Sequence, residues 1–402
     1  MATGTIAAMV DWRSEWHEFE GVTYLNLAGQ SPVCKGAIKA VHAAVEWTKF
    51  PQRIPDAAFF DVPNRVRSAI AKLIGGKADE VALTSGASPG TAAVAYGLNW
   101  KPGDQVITAS GEFPLQYATW RPMEEREGIK LNIVRPGGGI NKGEVASTNP
   151  ASGGAFHTAE DFIAALTPRT RLVSVSHVRF DNAALVDAAK LAAACHAQGA
   201  LLLLDVSQSC GSVPMEVTQM GVDFVVCAGY KWLLGPFGTG FFWAKKEHIA
   251  KMRPGPFYWM AAAGAENFSA LGGSTTKAAE EGRRWDAAET ANYYNLAALE
   301  AGLELVLRAR PETIAEHNHK LIELLFARLP KDRCVAASPL ERAQRGAYGC
   351  FQARTQEKTR ELYQKLRDEN VITSLRQGKI RVAPYLYNTE QDIDRVVRVL
   401  TA

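Results

Sequence analysis

No apolar run in the 402 residues approaches the ~18 needed to span a bilayer. All-apolar stretches such as 200–204 have the length of a buried strand. The amino-terminal MATGTIAAMVDW has no basic opening and meets Asp11 early, so it does not read as a signal peptide. Cysteine is sparse: six residues, none in a C-x-x-C pair, too few for a disulfide-built scaffold. They are expected to be reduced thiols in a cytoplasmic protein. Net charge is also small, with 45 Lys and Arg against 42 Asp and Glu, a balance of +3. That gives no electrostatic reason to expect a nucleic-acid or membrane partner. Nothing in the pattern suggests a metal site.

Hydrophobic residues make up 47% and charged residues 22%, values that support sizeable cores. The length suggests two or three domains. Strand-length apolar runs occur at 81–84, 105–109, 130–134, 172–175, 201–205, 224–228 and 240–244. Several are apolar throughout, as strands covered on both faces must be. Helical patterns lie between them. One spans 187–198 and stops at Gly199. The alternation predicts an α/β domain with a mostly parallel sheet, whose ligands would sit at the carboxyl ends of the strands.

Residues 137–155 read as a surface loop, and Pro254, Gly255 and Pro256 break the chain. Helices are expected over 292–308 and 311–329, the latter with His317 and Lys320 on its solvent face. A helix at 359–369, short strands at 335–336, 349–353 and 379–384, and a closing helix at 392–400 complete a small α+β domain. The expected division is 1–20 (amino-terminal segment), 21–304 (large domain) and 305–402 (small domain).

The chemistry concentrates at strand ends. Asp205 closes the run Leu201-Leu-Leu-Leu, where a carboxylate needs a cationic or N–H partner. Taken alone, it reads equally as a cap on the next helix. Lys231 stands where another buried strand runs out, an unusual place for a lysine unless its amine snorkels to solvent. Gly235, Gly238 and Gly240 follow at once and permit close backbone approach.

Asp-x-x-Gln at 205–208, Tyr230-Lys231 and the glycine-rich turn together resemble fold-type I pyridoxal-phosphate enzymes of the class V aminotransferase family. DVSQSCGSVP followed by AGYKWLLGPFGTGFFW carries the resemblance, which runs from about Tyr24 to the carboxyl terminus. It implies a large domain with a seven-stranded, mostly parallel sheet, a small carboxy-terminal α+β domain, and a homodimer with active sites at the interface. It implies pyridoxal 5'-phosphate as cofactor and an α-amino acid as substrate.

On the same resemblance, Lys231 would hold the cofactor as a Schiff base and then move protons at the substrate carbons. Asp205 would pair with the pyridine nitrogen and keep it protonated. Gln208 would contact the ring hydroxyl, and Tyr230 the phosphate. TSGASPG at 84–90 follows a strand and opens a helix, so the backbone at Ala87 and Ser88 would bind phosphate. Phe113 would stack on the ring, and Asn182 would face the cofactor or substrate.

Thr290, in WDAAETAN, would reach the phosphate of the partner subunit's cofactor, although Glu289 and Ala291 stand where the family has Gly and Pro. Arg381, in GKIRVAPYLYNT, would clamp the substrate α-carboxylate, with Asn26 and Gln30 crossing the same pocket. The leading expectation is transamination. The alternatives are a lyase cleaving a Cβ–S or Cβ–C bond, an isopenicillin epimerase-like racemase, and a non-enzymatic cofactor-binding regulatory module. Only about 20 residues precede Tyr24, which weighs against the regulatory reading. The segment 371–381 contains no cysteine and Cys350 reads as structural, so cysteine desulfuration is disfavoured.

Overall fold

The structure is a computed structural model that describes residues 11–141, 156–253, 255, 257–272 and 277–402. Its strands, in chain order, are β1 (Thr23–Tyr24), β2 (Val81–Thr84), β3 (Gln105–Ala109), β4 (Lys130–Val134), β5 (Ile140–Asn141), β6 (Thr170–Ser176), β7 (Leu201–Asp205), β8 (Phe224–Ala228), β9 (Gly240–Ala244), β10 (Cys334–Ala336), β11 (Gly349–Ala353), β12 (Val371–Ile372), β13 (Ser374–Arg376) and β14 (Lys379–Val382). The main sheet runs β2-β9-β8-β7-β6-β3-β4, the seven strands expected from the sequence, with β5 added at its edge. β8, β7, β6, β3 and β4 are mutually parallel, while β9 is antiparallel to both β2 and β8.

The sheet is buried on both faces, and the period-2 alternation of side chains divides its residues between two cores. Leu202, Leu204, Val173, Val175, Phe241 and Trp243 face one core. Leu203, Leu172, Val226, Phe242 and Ala244 face the other, where the helices Ala87–Gly97 and Pro114–Glu127 supply Val94, Trp120 and Met123. A third core lies under the antiparallel sheet β10-β11-β14-β13 and includes Leu321, Leu325, Phe351, Ile380, Val396 and Leu400.

Local signals mark the helix boundaries. Asp187 caps Ala188–Ala197 through Lys190 N, and Gly199 (φ +73°) follows its end. Asn292 caps Tyr293–Ala309, and Pro311 opens Pro311–Arg328.

Three expectations change. His317 is not simply solvent-facing: it is half-buried, and its Nε2 meets Tyr385 O at 3.2 Å. Part of the expected loop, Ile140–Asn141, pairs with β4, because the turn at Gly137 and Gly138 (φ +85° and +84°) folds the chain back. The final short strand stops at Val382. Residues 142–155, Pro254 and Pro256 lie outside the described residues. Among the described residues no helix is long and apolar enough to cross a membrane, and no group of three His, Cys, Asp or Glu side chains could hold a metal.

Candidate active site

The parallel strands deliver their last residues to one place. Ser176 ends β6, Asp205 ends β7 and Ala228 ends β8, and all three line a cavity of about 200 Å³ with Lys231. The loop 85–88 and Phe113 form other walls. This is where a parallel sheet leaves a crevice.

Lys231 and Asp205 both line this cavity and interact electrostatically. Burial pulls the Lys231 amine down to about 8, Arg381 and Arg376 push in the same direction, and Asp205 partly offsets them. Burial also raises the Asp205 carboxyl, while Ser207 and Lys231 restrain it. Asp205 Oδ1 accepts from Ser207 N at 2.8 Å. The Lys231 amine lies 5.9 Å from the centre of the Phe113 ring and 5.6 Å from that of Tyr230.

The opposite end of the cavity suits an anion. Ala87–Gly97 begins beside it with no side-chain cap, so its first N–H groups, at Ala87 and Ser88, stand at the cavity wall. The loop depends on close backbone packing: a Cβ at Gly240 would come within 2.7 Å of Gly86 Cα and 2.4 Å of Cys227 O. An amine of depressed basicity, a buried carboxylate, an uncapped helix start and an exposed aromatic together fit a ring-shaped, phosphate-bearing aldehyde cofactor.

Other expected residues have more engaged surroundings. Gln208 lines the cavity, but its Oε1 accepts from Trp232 Nε1 (3.0 Å) and its Nε2 donates to Ala28 O (2.9 Å). Tyr230 lines it too and stacks on Phe237 with ring centroids 4.2 Å apart. Asn182 is turned to local work: its Oδ1 accepts from Ala184 N at 2.9 Å, and it is not among the cavity's lining residues. Thr290 lines an adjoining cavity that shares Ser85, and its Oγ1 donates to Ala287 O at 2.5 Å. Glu289, in the left-handed region at φ +57°, makes the turn there that the family's Gly would make.

Arg381 is 2% exposed, and its Nη1 donates to Phe180 O at 3.0 Å. Its Nε has no hydrogen-bond partner among the described residues, and no carboxylate pairs with it there. Asn26 is similar, with a buried Oδ1 that lacks a partner. Gln30 is exposed, and its carbonyl accepts from Tyr24 Oη at 2.8 Å.

Sequence reasoning missed a set of charges beneath the site: Glu112, Arg179, Asp181 and Lys379. Arg179 Nη1 lies 3.3 Å from Glu112 Oε1, and Lys379 Nζ lies 3.0 Å from Asp181 Oδ2. The signal was the clustering of charged residues just past the buried strands β3 and β6. All six cysteines are free and buried. Cys350 pairs with Arg381 across β11 and β14, and burial pushes its thiol up to about 12.

A sequence profile of the family described as aminotransferase class-V matches residues 55–399. The chain belongs to the class-V aminotransferase family. Among curated class-V relatives, a probable cysteine desulfurase of Methanothermobacter thermautotrophicus is 30% identical over 190 residues, 47% of this chain and 43% of that protein. The chain thus aligns with less than half the length of that relative. An uncharacterized aminotransferase of Bacillus subtilis, YcbU, is 26% identical over 84% of this chain and 82% of its own length. Among solved structures, the cystine C–S lyase C-DES, in complex with its reaction product cysteine persulfide, superposes with a TM-score of 0.82. It is 23% identical and covers 95% of this chain and 99% of its own, which establishes the shared fold-type I architecture. The sequence argument against desulfuration gains no support, since cysteine desulfurases recur among these class-V relatives.

Proposed function

We propose that this class-V chain is a pyridoxal-phosphate enzyme that acts on an α-amino acid and breaks a bond to sulfur or carbon at its β-carbon. The observation that carries the reading is the amine of half-buried Lys231, drawn down to about 8, lining the strand-end cavity together with buried Asp205. Bound there, pyridoxal phosphate would supply an electron sink for the bonds broken at the substrate.

Lys231 would hold the cofactor covalently and, once released, carry the proton from the α-carbon. An amine drawn down to about 8 keeps about a tenth of its population neutral at pH 7, far more than an ordinary lysine, and that suits the task. Asp205 would hold a proton on the pyridine nitrogen. The N–H groups of Ala87 and Ser88 would bind the phosphate, with the Tyr230 hydroxyl beside them, and Phe113 would cover one face of the ring. Gln208 retains one N–H for the ring hydroxyl, because Trp232 and Ala28 engage the rest of its amide. Arg381, which has no carboxylate partner among the described residues, would take the α-carboxylate, and Asn26 would assist it. In a homodimer Thr290 would serve the partner subunit's phosphate, in keeping with its place outside this chain's Lys231 cavity.

Bond cleavage at Cβ is preferred to transamination because relatives named as probable cysteine desulfurases match the sequence and the solved cystine C–S lyase shares the fold. Transamination is the second reading, favoured by the Bacillus subtilis relative's name. The test is to give the holoenzyme L-cysteine or L-cystine without any keto acid. Repeated turnover releasing a sulfur species supports the lyase. A single turnover that yields one equivalent of keto acid and leaves the amino group on the cofactor supports transamination and overturns the lyase.

A further inference from the structure

The buried charges below the cavity connect the two parts of the protein that must meet around a substrate. β13 and β14 form a hairpin in which Ser374 lies opposite Arg381 and Arg376 opposite Lys379. Directly opposed and alternate residues share a face, so Arg376, Lys379 and Arg381 project to the same side. That side meets residues 179–182. Lys379 Nζ binds Asp181 Oδ2 at 3.0 Å, and Arg381 Nη1 donates to Phe180 O at 3.0 Å.

From Asp181 the charges continue inward. Arg179 Nη2 lies 3.4 Å from Asp181 Oδ1 and donates to Ser110 O (3.0 Å) and Gly111 O (2.6 Å). Its Nη1 faces Glu112, which accepts from Ser176 N (2.8 Å) and from Ser176 Oγ (2.6 Å). Phe113 N donates to Glu112 Oε2 at 3.2 Å. The chain of contacts therefore ends at Phe113, whose ring meets that of Phe180 edge-on at 5.5 Å, and both rings line the cavity.

Two anions and two cations balance. Burial raises the Asp181 carboxyl, but Arg179 and Lys379 more than offset that and hold it below the usual carboxylate range. Buried ion pairs of this kind contribute little net stability compared with apolar packing, because desolvation consumes most of the Coulombic gain. Their value lies in fixing one geometry.

We propose that the relay Glu112–Arg179–Asp181–Lys379 is a positioning device that holds the hairpin, and with it the guanidinium of Arg381, in register with the cavity. Through that placement it sets the affinity for a substrate α-carboxylate. The inference rests on the reading of Arg381 as the carboxylate's partner. Lys379 acts two residues from Arg381 on the same face, so losing its anchor frees the hairpin to move without removing a group from the cavity.

The test is Lys379→Met in the holoenzyme, read by the change in the cofactor's visible band on adding an amino acid. The band without amino acid should be that of the unaltered enzyme. The concentration giving half the spectral change should rise about 10-fold, the loss expected when one hydrogen bond to a charged group is weakened, and KM should rise with it. The turnover number should change by less than about 3-fold, and Lys379→Arg should recover most of the affinity. Asp181→Asn combined with Lys379→Met should cost no more than the larger single effect, since both break one relay. Should Lys379→Met fail to fold, Asp181→Asn read the same way carries the same expectation.

Unchanged affinity in Lys379→Met would overturn the proposal. So would equal losses of affinity and melting temperature that Lys379→Arg does not restore. A primary amine with the same side chain but no α-carboxylate separates the two readings. If the unaltered enzyme binds it as tightly as the amino acid, the carboxylate role of Arg381 fails. If the unaltered enzyme prefers the amino acid and Lys379→Met prefers it equally, the relay alone fails.

Discussion

The depressed basicity of Lys231 can be tested on the cofactor-free protein. An ordinary lysine amine titrates near 10.4, so at pH 7.5 only about 0.1% is neutral. With the value of about 8 that burial imposes, roughly a quarter is neutral at the same pH. The nucleophilic form is therefore enriched on the order of 200-fold over an exposed lysine. The assay follows capture of added pyridoxal phosphate by growth of its visible band between pH 6 and 10. The rate should rise through a midpoint near 8 and then flatten. The free aldehyde titrates too, so shifts between variants are the decisive readout. Asp205 supports the charged amine and Arg381 opposes it. Asp205→Asn should therefore lower the midpoint, and Arg381→Met should raise it. A rate still climbing above pH 10 would refute the account, as would variants that move the midpoint in the opposite sense.

Arg381→Met should raise KM for amino acids about 10- to 100-fold, the equivalent of the ~1.5–3 kcal/mol of a hydrogen bond to a charged group, with a smaller change in kcat. Steady-state kinetics across amino-acid concentration checks this. Gly240→Ala should destabilise the protein by about 1–3 kcal/mol and weaken cofactor binding, because its Cβ would strike the backbone of Cys227 and Gly86. Urea unfolding and a cofactor titration measure the two effects. Asp223 accepts from His248 (2.7 Å), His196 (2.9 Å) and Leu202 N (2.8 Å). Burial raises its carboxyl, but these donors more than offset that and hold it below the ordinary value. Its contribution to stability is thus present above the ordinary carboxyl range and is lost as pH falls through the depressed one. Asp223→Asn should cost about 1–3 kcal/mol at pH 7, and the gap should close in acid unfolding series.

What the sequence made legible followed from periodicity and abrupt exceptions to it. Strands such as Phe224–Ala228 are apolar at every position because both faces are covered, and such runs have clear ends. Asp205 and Lys231 stood out because they break those runs. Partnerships made by tertiary contact were not legible. Nothing local says that Trp232 takes the carbonyl of Gln208, or that Asn182 is consumed by Ala184 N. His317 sits at a helical position that pattern alone assigns to solvent, and a contact with the distant Tyr385 carbonyl changes that. Asp181 and Lys379 are 198 residues apart and became a pair only once β14 docked on the loop after β6.

The arrangement sorts charge around the strand-end cavity. The strand ends place Asp205 at one pole, where burial raises its carboxyl and Ser207 and Lys231 restrain that rise. A protonated ring nitrogen would add a cation where the carboxylate needs one, so cofactor and Asp205 would stabilise each other's charged forms. At the other pole the start of Ala87–Gly97 offers N–H groups to an anion. Arg381 brings a second cationic point from a strand nearly 180 residues beyond Asp205, and it also depresses the Lys231 amine. A bound carboxylate would cancel that positive field and raise the basicity of Lys231. On the proposed roles, occupation of Arg381 by a carboxylate and the readiness of Lys231 to take a proton would be linked through charge.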